Sequence, residues 1–378
     1  MGTQRYVSLD ILKGIAMFMV ILCHYNQKFT CSIRLFEFFQ MGCQIFFVMS
    51  GFGVSFSLSK RIGKRLGLSE LMPFNKSRYK RIAPAYYFMI IVVFLVNSIL
   101  LGLKIRPMAF GSNRSLFGIA CNVLFIHGLV PSANNNVILD GWYIGTLMLL
   151  YLIAPFLYSF FQKNVRHRKI ACLLVFLTSI ALLYVLTLVI PQQYKSYLVD
   201  NNSFGYFSFL TQLPCFALGM LLFFEIQEND KINAKASIAV GCVIMACSIA
   251  LFFNPFFDFS YIVSVSAVGF ATYFIARGMI SAERVRKFPL SFHCLTRFGQ
   301  KSLYIYLTHA FFTWPFVSII LEGASHFGYH ADNSFVYVIL FPIVASLSYL
   351  SAIWLEKAVE MIMKNLDKAF FRGARQNL

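Results

Sequence analysis

The sequence predicts an all-α, polytopic membrane protein with about ten membrane-spanning helices. Hydrophobic residues make up 58% of the 378 residues and charged residues only 13%, and the mean hydropathy is +0.68. Soluble globular chains carry about 25% charged residues. In lipid, only helices and closed barrels satisfy every backbone polar group, and a barrel would show alternating strands of about ten residues. The long unbroken apolar runs of this chain therefore favour helices.

Ten apolar runs approach the ~20 residues that a membrane-spanning helix needs. The predicted spans are 7–25, 36–59, 84–103, 141–161, 170–190, 206–225, 236–254, 259–277, 298–321 and 335–356.

An eleventh apolar stretch, residues 116–130, is only 15 residues long. As a helix it would cover about 22 Å, which is less than the ~30 Å hydrocarbon core of a bilayer. We therefore predict that it is re-entrant or lies at the membrane surface, within a long outer loop over 104–140.

Basic residues indicate the orientation of the chain in the membrane. If 116–130 does not cross, the cytoplasmic segments contain 24 Lys and Arg residues and the outer segments six, whereas a crossing would give 10 inside and 20 outside. Lysine and arginine are enriched in cytoplasmic loops. The first arrangement is therefore expected, with both termini in the cytoplasm.

Composition also excludes several classes of function. The net charge of +18 is explained by Lys and Arg residues in cytoplasmic loops, so nucleic acid is not an expected partner. The nine cysteines lie mostly in apolar runs without metal-ligand spacing. We therefore expect no metal site and no permanently bound cofactor. The start of the chain lacks the pattern of a cleavable signal, and we expect one integral-membrane domain over 1–378 without a fused soluble domain.

The first predicted span, SLDILKGIAMFMVILCHY, contains Asp10, Lys13 and His24. Polar residues inside a bilayer are costly and usually functional. Lys13 and His24 are close to three helical turns apart, so they share one face about 16 Å apart along the axis. Asp10 lies one turn before Lys13 on that face. This polar stripe must face the protein interior or water.

Ser50 and Gly51 lie inside the second predicted span, in QIFFVMSGFGVSF. Small residues there are typical of close helix packing, and a binding role is the alternative.

A basic segment, FNKSRYKRIAPAYY at 74–87, leads into the third predicted span. Its Lys and Arg residues could mark the cytoplasmic side or contact lipid headgroups. Arg78 and Arg81 are one helical turn apart, so together they could also hold a phosphate.

Two further apolar segments contain candidate site residues, Trp142 and His309. Trp142 opens the span in LDGWYIGTLMLLYLIAPF, where an interfacial aromatic belt is the common interpretation and a binding site the alternative. His309 lies in the middle of FGQKSLYIYLTHAFFTWPF, where a packing role competes with a catalytic one.

Taken together, these segments resemble the membrane acyltransferase-3 family over nearly the whole chain. The blocks that carry the resemblance, in family order, are SLDILKGIAMFMVILCHY, FFVMSGF, RYKRIAP, GWYIG with YLIAP, and GQKSLYIYLTHA. The resemblance implies a ten-span enzyme of the bacterial inner membrane. Members of the family transfer an acyl group, usually acetyl, from cytoplasmic acyl-CoA to a hydroxyl of a surface glycan, a lipid-linked sugar or peptidoglycan. Acetyl-CoA is thus the expected donor substrate, a glycan or lipid-linked sugar the expected acceptor, and membrane lipids the surroundings.

The resemblance also assigns roles to residues. His24 falls on the family's catalytic histidine, Lys13 on its basic position, and Asp10 on the acidic position before it. The expected donor-binding residues are Ser50, Gly51, Arg78, Lys80 and Arg81. The candidate supporting residues are His309, Ser302 and Trp142.

Two positions depart from the family pattern. The family usually has arginine at position 13, and Lys13 lacks the planar fork of a guanidinium. Many members have a glutamate where this chain has Leu147, so no role of that carboxylate carries over.

These residues suggest a route along the first helix. The basic cytoplasmic residues would hold the CoA phosphates, and the pantetheine arm would pass Lys13 and present the thioester to His24. His24 would act as general base or take the acyl group itself. Asp10 is expected to pair with Lys13. Since it lies about 21 Å from His24, His309 or Ser50 is the expected orienting group for His24.

The acceptor is expected at the outer loop 104–140, and two other functions compete with acyl transfer. The loop residues proposed to contact the acceptor are Arg114, His127, Asp140 and Trp142. A transporter or flippase of a lipid-linked glycan would equally need buried charges, although the chain shows no repeat typical of transporters. A non-catalytic relative is the third alternative.

Overall fold

The computed structural model describes residues 6–61, 68–102, 115–191, 204–228, 232–254, 260–285, 292–329 and 333–376. Its described part is a bundle of α-helices with several 3₁₀ turns and a π-helical turn at Phe312–Phe316. The α-helices are α1 (Val7–Asn26), α2 (Gly42–Ser59), α3 (Leu68–Gly102), α4 (Leu116–Val123), α5 (Gly141–Lys163), α6 (Arg168–Val189), α7 (Phe204–Phe207), α8 (Phe209–Glu228), α9 (Ala234–Phe253), α10 (Ser260–Val285), α11 (His293–Gln300), α12 (Ser302–Phe311), α13 (Val317–Ser325) and α14 (Ser334–Gln376).

Ten helical segments of the described residues are long and apolar enough to cross a membrane, which confirms the predicted fold class. They are Val7–Asn26, Arg34–Ser59, Leu71–Gly102, Gly141–Lys163, Val165–Leu186, Phe204–Glu228, Ala234–Phe253, Tyr261–Arg284, Ser302–Ser325 and Ser334–Asn365. Each overlaps one predicted span.

Segment 116–130 does not form an eleventh span. It contains the eight-residue α4 and a 3₁₀ turn at His127–Leu129, and that turn packs against α5. Residues 104–114 of the predicted outer loop lie outside the described part.

Two spans begin at other residues than predicted. The predicted span 298–321 includes a helix break, because α11 ends at Gln300 and α12 begins at Ser302. The third span was predicted from residue 84, but α3 already runs through the basic segment 74–87, so that segment is helical.

Glycines set the distance between the central helices. A Cβ at Gly51 would lie 2.0 Å from the Phe216 carbonyl oxygen, and one at Gly219 would lie 1.9 Å from that of Val48. The backbones of α2 and α8 therefore touch reciprocally, as small residues permit in membrane proteins. In the same way, a Cβ at Gly299 would lie 1.7 Å from the Asp10 carbonyl oxygen. This contact holds α11 against α1.

The first helix lies at the centre of this packing. It packs against α2, α10, α11, α12 and α14. Its first turn is closed from α10, where the Glu283 carboxylate accepts the backbone N–H groups of Val7 and Ser8 at 2.7 and 2.8 Å. A carboxylate there satisfies unpaired N–H groups and complements the positive end of the helix. The polar stripe of α1 is thus fixed in position among its neighbours.

We expect Gly51→Ala to destabilise the protein strongly, because the added methyl group would meet backbone that cannot move aside. Gly53→Ala is the matched control, since no atom lies within 4 Å of a Cβ at that position. Thermal unfolding in detergent should show a lower Tm for Gly51→Ala and an unchanged Tm for Gly53→Ala. Equal Tm values for the two variants would contradict the proposed contact between α2 and α8.

Candidate active site

The polar face of α1 is arranged as its spacing predicts. The Lys13 ammonium lies 3.7 Å from an Asp10 carboxylate oxygen, which confirms the expected pairing one helical turn apart. Lys13 lines a cavity near the start of α1, whereas His24 lies in the last turn of the helix. One helix thus carries polar groups to two separate regions of the protein.

The first region is a cavity of about 190 Å³ between α1, α2, α3, α5 and the start of α12. Six predicted site residues line it, and they come from four different helices. These residues are Asp10, Lys13, Ser50, Arg78, Arg81 and Ser302.

Positive charge dominates this cavity. Lys13, Arg78 and Arg81 line it together with a single carboxylate, that of Asp10. The Arg78 guanidinium donates a 2.6 Å hydrogen bond to the Ser57 hydroxyl. The cavity is therefore suited to an anionic group, and paired guanidinium groups match the geometry of phosphate oxygens.

Helical periodicity explains which residues of the basic segment reach the cavity. Arg78 and Arg81 lie one turn apart on the same side of α3, and both line the cavity. Lys80 is exposed and is not among the lining residues, although it was predicted to bind the donor. Gly51 likewise does not line the cavity, since it packs against the Phe216 carbonyl group.

The second region contains His24, Asp140 and His309. The Nε2 atoms of the two histidines lie 3.0 Å and 3.4 Å from the same Asp140 carboxylate oxygen, Oδ2. The two imidazole rings have centroids 5.5 Å apart. His309 is fully buried, and only 6% of Asp140 is exposed. The three side chains therefore form one enclosed cluster, which we call the His–Asp–His triad.

Three helix ends bring the triad together. His24 lies in the last turn of α1 and His309 in the last turn of α12, whereas Asp140 is the N-cap residue of α5. Helix C-termini favour cations and helix N-termini favour anions. Each side chain thus lies at the helix end that suits its charge.

The backbone of Asp140 is unusual. Its φ of 60° is left-handed, a conformation that aspartate tolerates better than most residues. Its carboxylate does not cap its own helix but faces the two histidines instead. Burial alone would raise the pKa of this carboxyl group, but the neighbouring His24 and His309 lower it below its usual range.

Sequence reasoning missed the role of Asp140. It placed this residue in an acceptor-binding loop and named His309 or Ser50 as the group that orients His24. The structure brings His309 beside His24, leaves Ser50 in the cavity, and adds Asp140 between the two histidines. The available signal was an ionisable residue at the start of a predicted membrane span, where such residues are usually functional.

Aromatic side chains connect the cavity with the triad. Phe46 and Tyr143 line the cavity, and the Tyr143 ring centroid lies 4.8 Å from that of Tyr306. Tyr306 in turn donates a 3.1 Å hydrogen bond to the Asp140 carbonyl group. A ligand that reaches from the cavity to the triad would therefore pass these rings.

Trp142 does not belong to an interfacial belt. It is 3% exposed and stacks on Phe207 with ring centroids 4.8 Å apart. The interpretation as a lipid-facing belt residue is wrong, because Trp142 faces the packed interior of the bundle. Ser302 and Leu147 both line the cavity.

His127 holds the segment 116–130 against α5. It is fully buried, and its Nε2 atom lies 3.0 Å from the Gly141 carbonyl oxygen. Burial lowers the pKa of His127 to about 4, although nearby carbonyl groups oppose the shift. His127 is thus enclosed within the protein and does not lie on the surface of the outer loop. Arg114, the other basic residue of that prediction, lies outside the described residues.

Comparison with known proteins places these features in context. A family model described as an acyltransferase domain matches residues 6–356. The O-acetyltransferase OatA of Staphylococcus aureus is 25% identical over 367 residues, which cover 92% of this chain and 57% of that protein. The peptidoglycan O-acetyltransferase OatA of Listeria monocytogenes is 26% identical over 321 residues, 81% of this chain and 49% of that protein. The chain thus spans about half the length of these curated relatives. No solved structure matches it.

Proposed function

The chain belongs to the acyltransferase domain family, and we propose that it is a membrane O-acyltransferase that uses acyl-CoA. The acyl group would be acetyl, and the acceptor a hydroxyl of a cell-surface polysaccharide or lipid-linked glycan. One observation carries this proposal: a single helix joins a cationic cavity at Lys13 to a histidine–aspartate pair, His24 and Asp140. An enzyme that takes a long anionic donor needs both regions, whereas a transporter needs no such pair.

The cationic cavity would bind the nucleotide end of the donor. Arg78 and Arg81 would contact the phosphates from α3, and Lys13 would contact them from α1. Because Lys13 replaces the arginine of related enzymes, its contact is that of a point charge. The pantetheine arm would then extend past Tyr143 towards the triad.

His24 would act as the general base. Its Nε2 atom faces Asp140, and its buried Nδ1 atom has no hydrogen-bond partner among the described residues. The negative charge of the carboxylate 3.0 Å away favours a proton on Nε2, so Nδ1 would carry the lone pair that accepts a proton. Asp140 would thus select the reactive tautomer of His24.

The acyl transfer itself would take place at the thioester. Nδ1 of His24 takes the proton of the acceptor hydroxyl, and the oxygen attacks the thioester carbonyl carbon. The C–O bond forms and the C–S bond breaks. The thiolate of CoA leaves and takes the proton back from His24, which restores the neutral imidazole.

The names of the relatives suggest the class of acceptor. The Listeria relative is a peptidoglycan O-acetyltransferase, and a glycan hydroxyl is the corresponding acceptor for this chain. The proposed orientation, with both termini cytoplasmic, puts the cavity on the donor side and the triad towards the acceptor side. A reporter fused at Asn164 should accordingly report a cytoplasmic position.

Donor binding can be tested with two neighbouring basic residues. Arg81→Ala should weaken binding of acetyl-CoA by about tenfold or more, because it removes a charge-assisted phosphate contact. Lys80→Ala is the matched control, since Lys80 is also exposed but does not line the cavity. Binding would be measured by calorimetry on the detergent-purified protein. If both variants bind acetyl-CoA as tightly as the wild type does, the cavity is not the donor site.

Catalysis can be tested at the histidine and its partner. His24→Ala and Asp140→Asn should each lower the rate of acyl transfer by about 10²-fold or more, since one removes the base and the other its tautomer control. Acetyl-CoA binding should persist in both. His326→Gln, an exposed histidine outside both regions, serves as the control. Transfer of labelled acetyl groups to isolated glycans would be measured, and full activity of His24→Ala would refute the assignment.

The acceptor can be identified in cells. Deletion of the gene should remove O-acyl groups from one class of surface glycan, and the wild-type gene but not the His24→Ala variant should restore them. Mass spectrometry of each glycan class would show which one changes. An unchanged acylation pattern together with a changed amount of surface glycan would instead favour the transport alternative.

A further inference from the structure

We propose that His24, Asp140 and His309 form a three-ligand site for a divalent transition-metal ion of the zinc class, and that this ion inhibits the enzyme. Two imidazoles and one carboxylate are a donor set that zinc accepts in proteins. The proposal that the ion binds rests only on the geometry of the three side chains. Its inhibitory effect rests on the function proposed above.

The distances between the ligand atoms fit such an ion. One ligand atom from each residue can be chosen so that all three lie within 4.8 Å of one another. Two of these separations, those of Asp140 Oδ2 from His24 Nε2 and from His309 Nε2, are 3.0 Å and 3.4 Å. A tetrahedral zinc ion with bonds of 2.0–2.2 Å holds its ligand atoms about 3.4 Å apart. The side chains therefore need only small adjustments to enclose an ion.

The directions of the polar atoms also favour an ion. Among the described residues, neither Asp140 Oδ2 nor His309 Nε2 makes a hydrogen bond of good geometry, although both atoms are buried. Buried polar atoms are rarely left without such a bond. An ion placed among these atoms would satisfy both at once.

The surroundings of His309 prepare it as a ligand. Its Nδ1 atom lies 2.7 Å from the Tyr306 carbonyl oxygen, to which it donates its proton. Nε2 then carries the lone pair, and it faces Asp140. Metal-binding histidines commonly donate their second ring N–H to a backbone carbonyl in this way. The contact fixes both the tautomer and the ring orientation.

Three helices supply the ligands, so the site is held rigidly. His24 and His309 end α1 and α12, and Asp140 precedes α5. The described residues supply three protein ligands, which leaves a fourth position for water or substrate. The residues lie far apart in the sequence, which is why no spacing motif reveals them.

Inhibition follows from the chemistry of His24. An imidazole that binds a metal through Nε2 carries its proton on Nδ1. The lone pair that would accept the proton of the acceptor hydroxyl is then lost. Removal of the ion by a chelator should restore it.

Binding is tested with the full-length protein in detergent, stripped with chelator and titrated with Co²⁺ and Zn²⁺. We expect one equivalent of Co²⁺ to give the visible absorption of a four-coordinate ion, and Zn²⁺ to displace it. His309→Gln and Asp140→Asn should each weaken binding by about tenfold or more. His326→Gln, which changes an exposed histidine away from the triad, should bind as the wild type does. If the triad variants bind the same equivalent with the same affinity, the metal site is disproved.

Activity separates this inference from the proposed function. Inhibition of acyl transfer by Zn²⁺, reversed by chelator and absent at matched ionic strength with Mg²⁺, supports both. Loss of activity in Asp140→Asn without any metal binding by the wild type overturns the metal site and leaves the function standing. Metal binding that chelators remove with loss of activity supports the site but overturns the role of His24 as a free base.

Discussion

The central constraint on this protein is the cost of placing charged groups inside a bilayer. Each buried ionisable group must find a partner, and the described structure provides one at every site that matters to the proposed chemistry. Asp10 lies beside Lys13, and one Asp140 oxygen faces two histidines. For one carboxylate to face both histidines, the ends of α1 and α12 and the start of α5 must lie at the same place. The contacts of a single carboxylate, that of Asp140, therefore constrain the relative positions of α1, α5 and α12.

Helix packing without large side chains makes this convergence feasible. In lipid there is little hydrophobic force between helices, so close backbone contact has to replace it. Gly51 and Gly219 allow such contact between α2 and α8, and Gly299 allows it between α1 and α11. The cationic cavity lies beside the face of α2 that carries Ser50.

The two polar regions along α1 would have different roles in the proposed reaction. The cavity is cationic and suits phosphates, whereas the triad is enclosed and suits proton transfer. The aromatic rings of Tyr143 and Tyr306 lie between them. This separation suits a donor whose charged nucleotide and reactive thioester are joined by a long flexible arm. It also explains how a single helix can serve both ends of one substrate without any direct contact between Lys13 and His24.

The sequence by itself determined the class of fold, the number of spans, the helical pairing of Asp10 with Lys13, and the spacing of Arg78 and Arg81. All of these follow from local composition and from the 3.6-residue period of a helix, which act over a few turns. Only the tertiary structure decided which distant residues meet. Asp140, His24 and His309 come from three helix ends whose separation in the chain contains no period. The interior position of Trp142, the packing role of Gly51 and the burial of His127 depend in the same way on neighbours from other helices. Contacts between helices are set by packing across the whole bundle, and that packing cannot be read from any one segment of the chain.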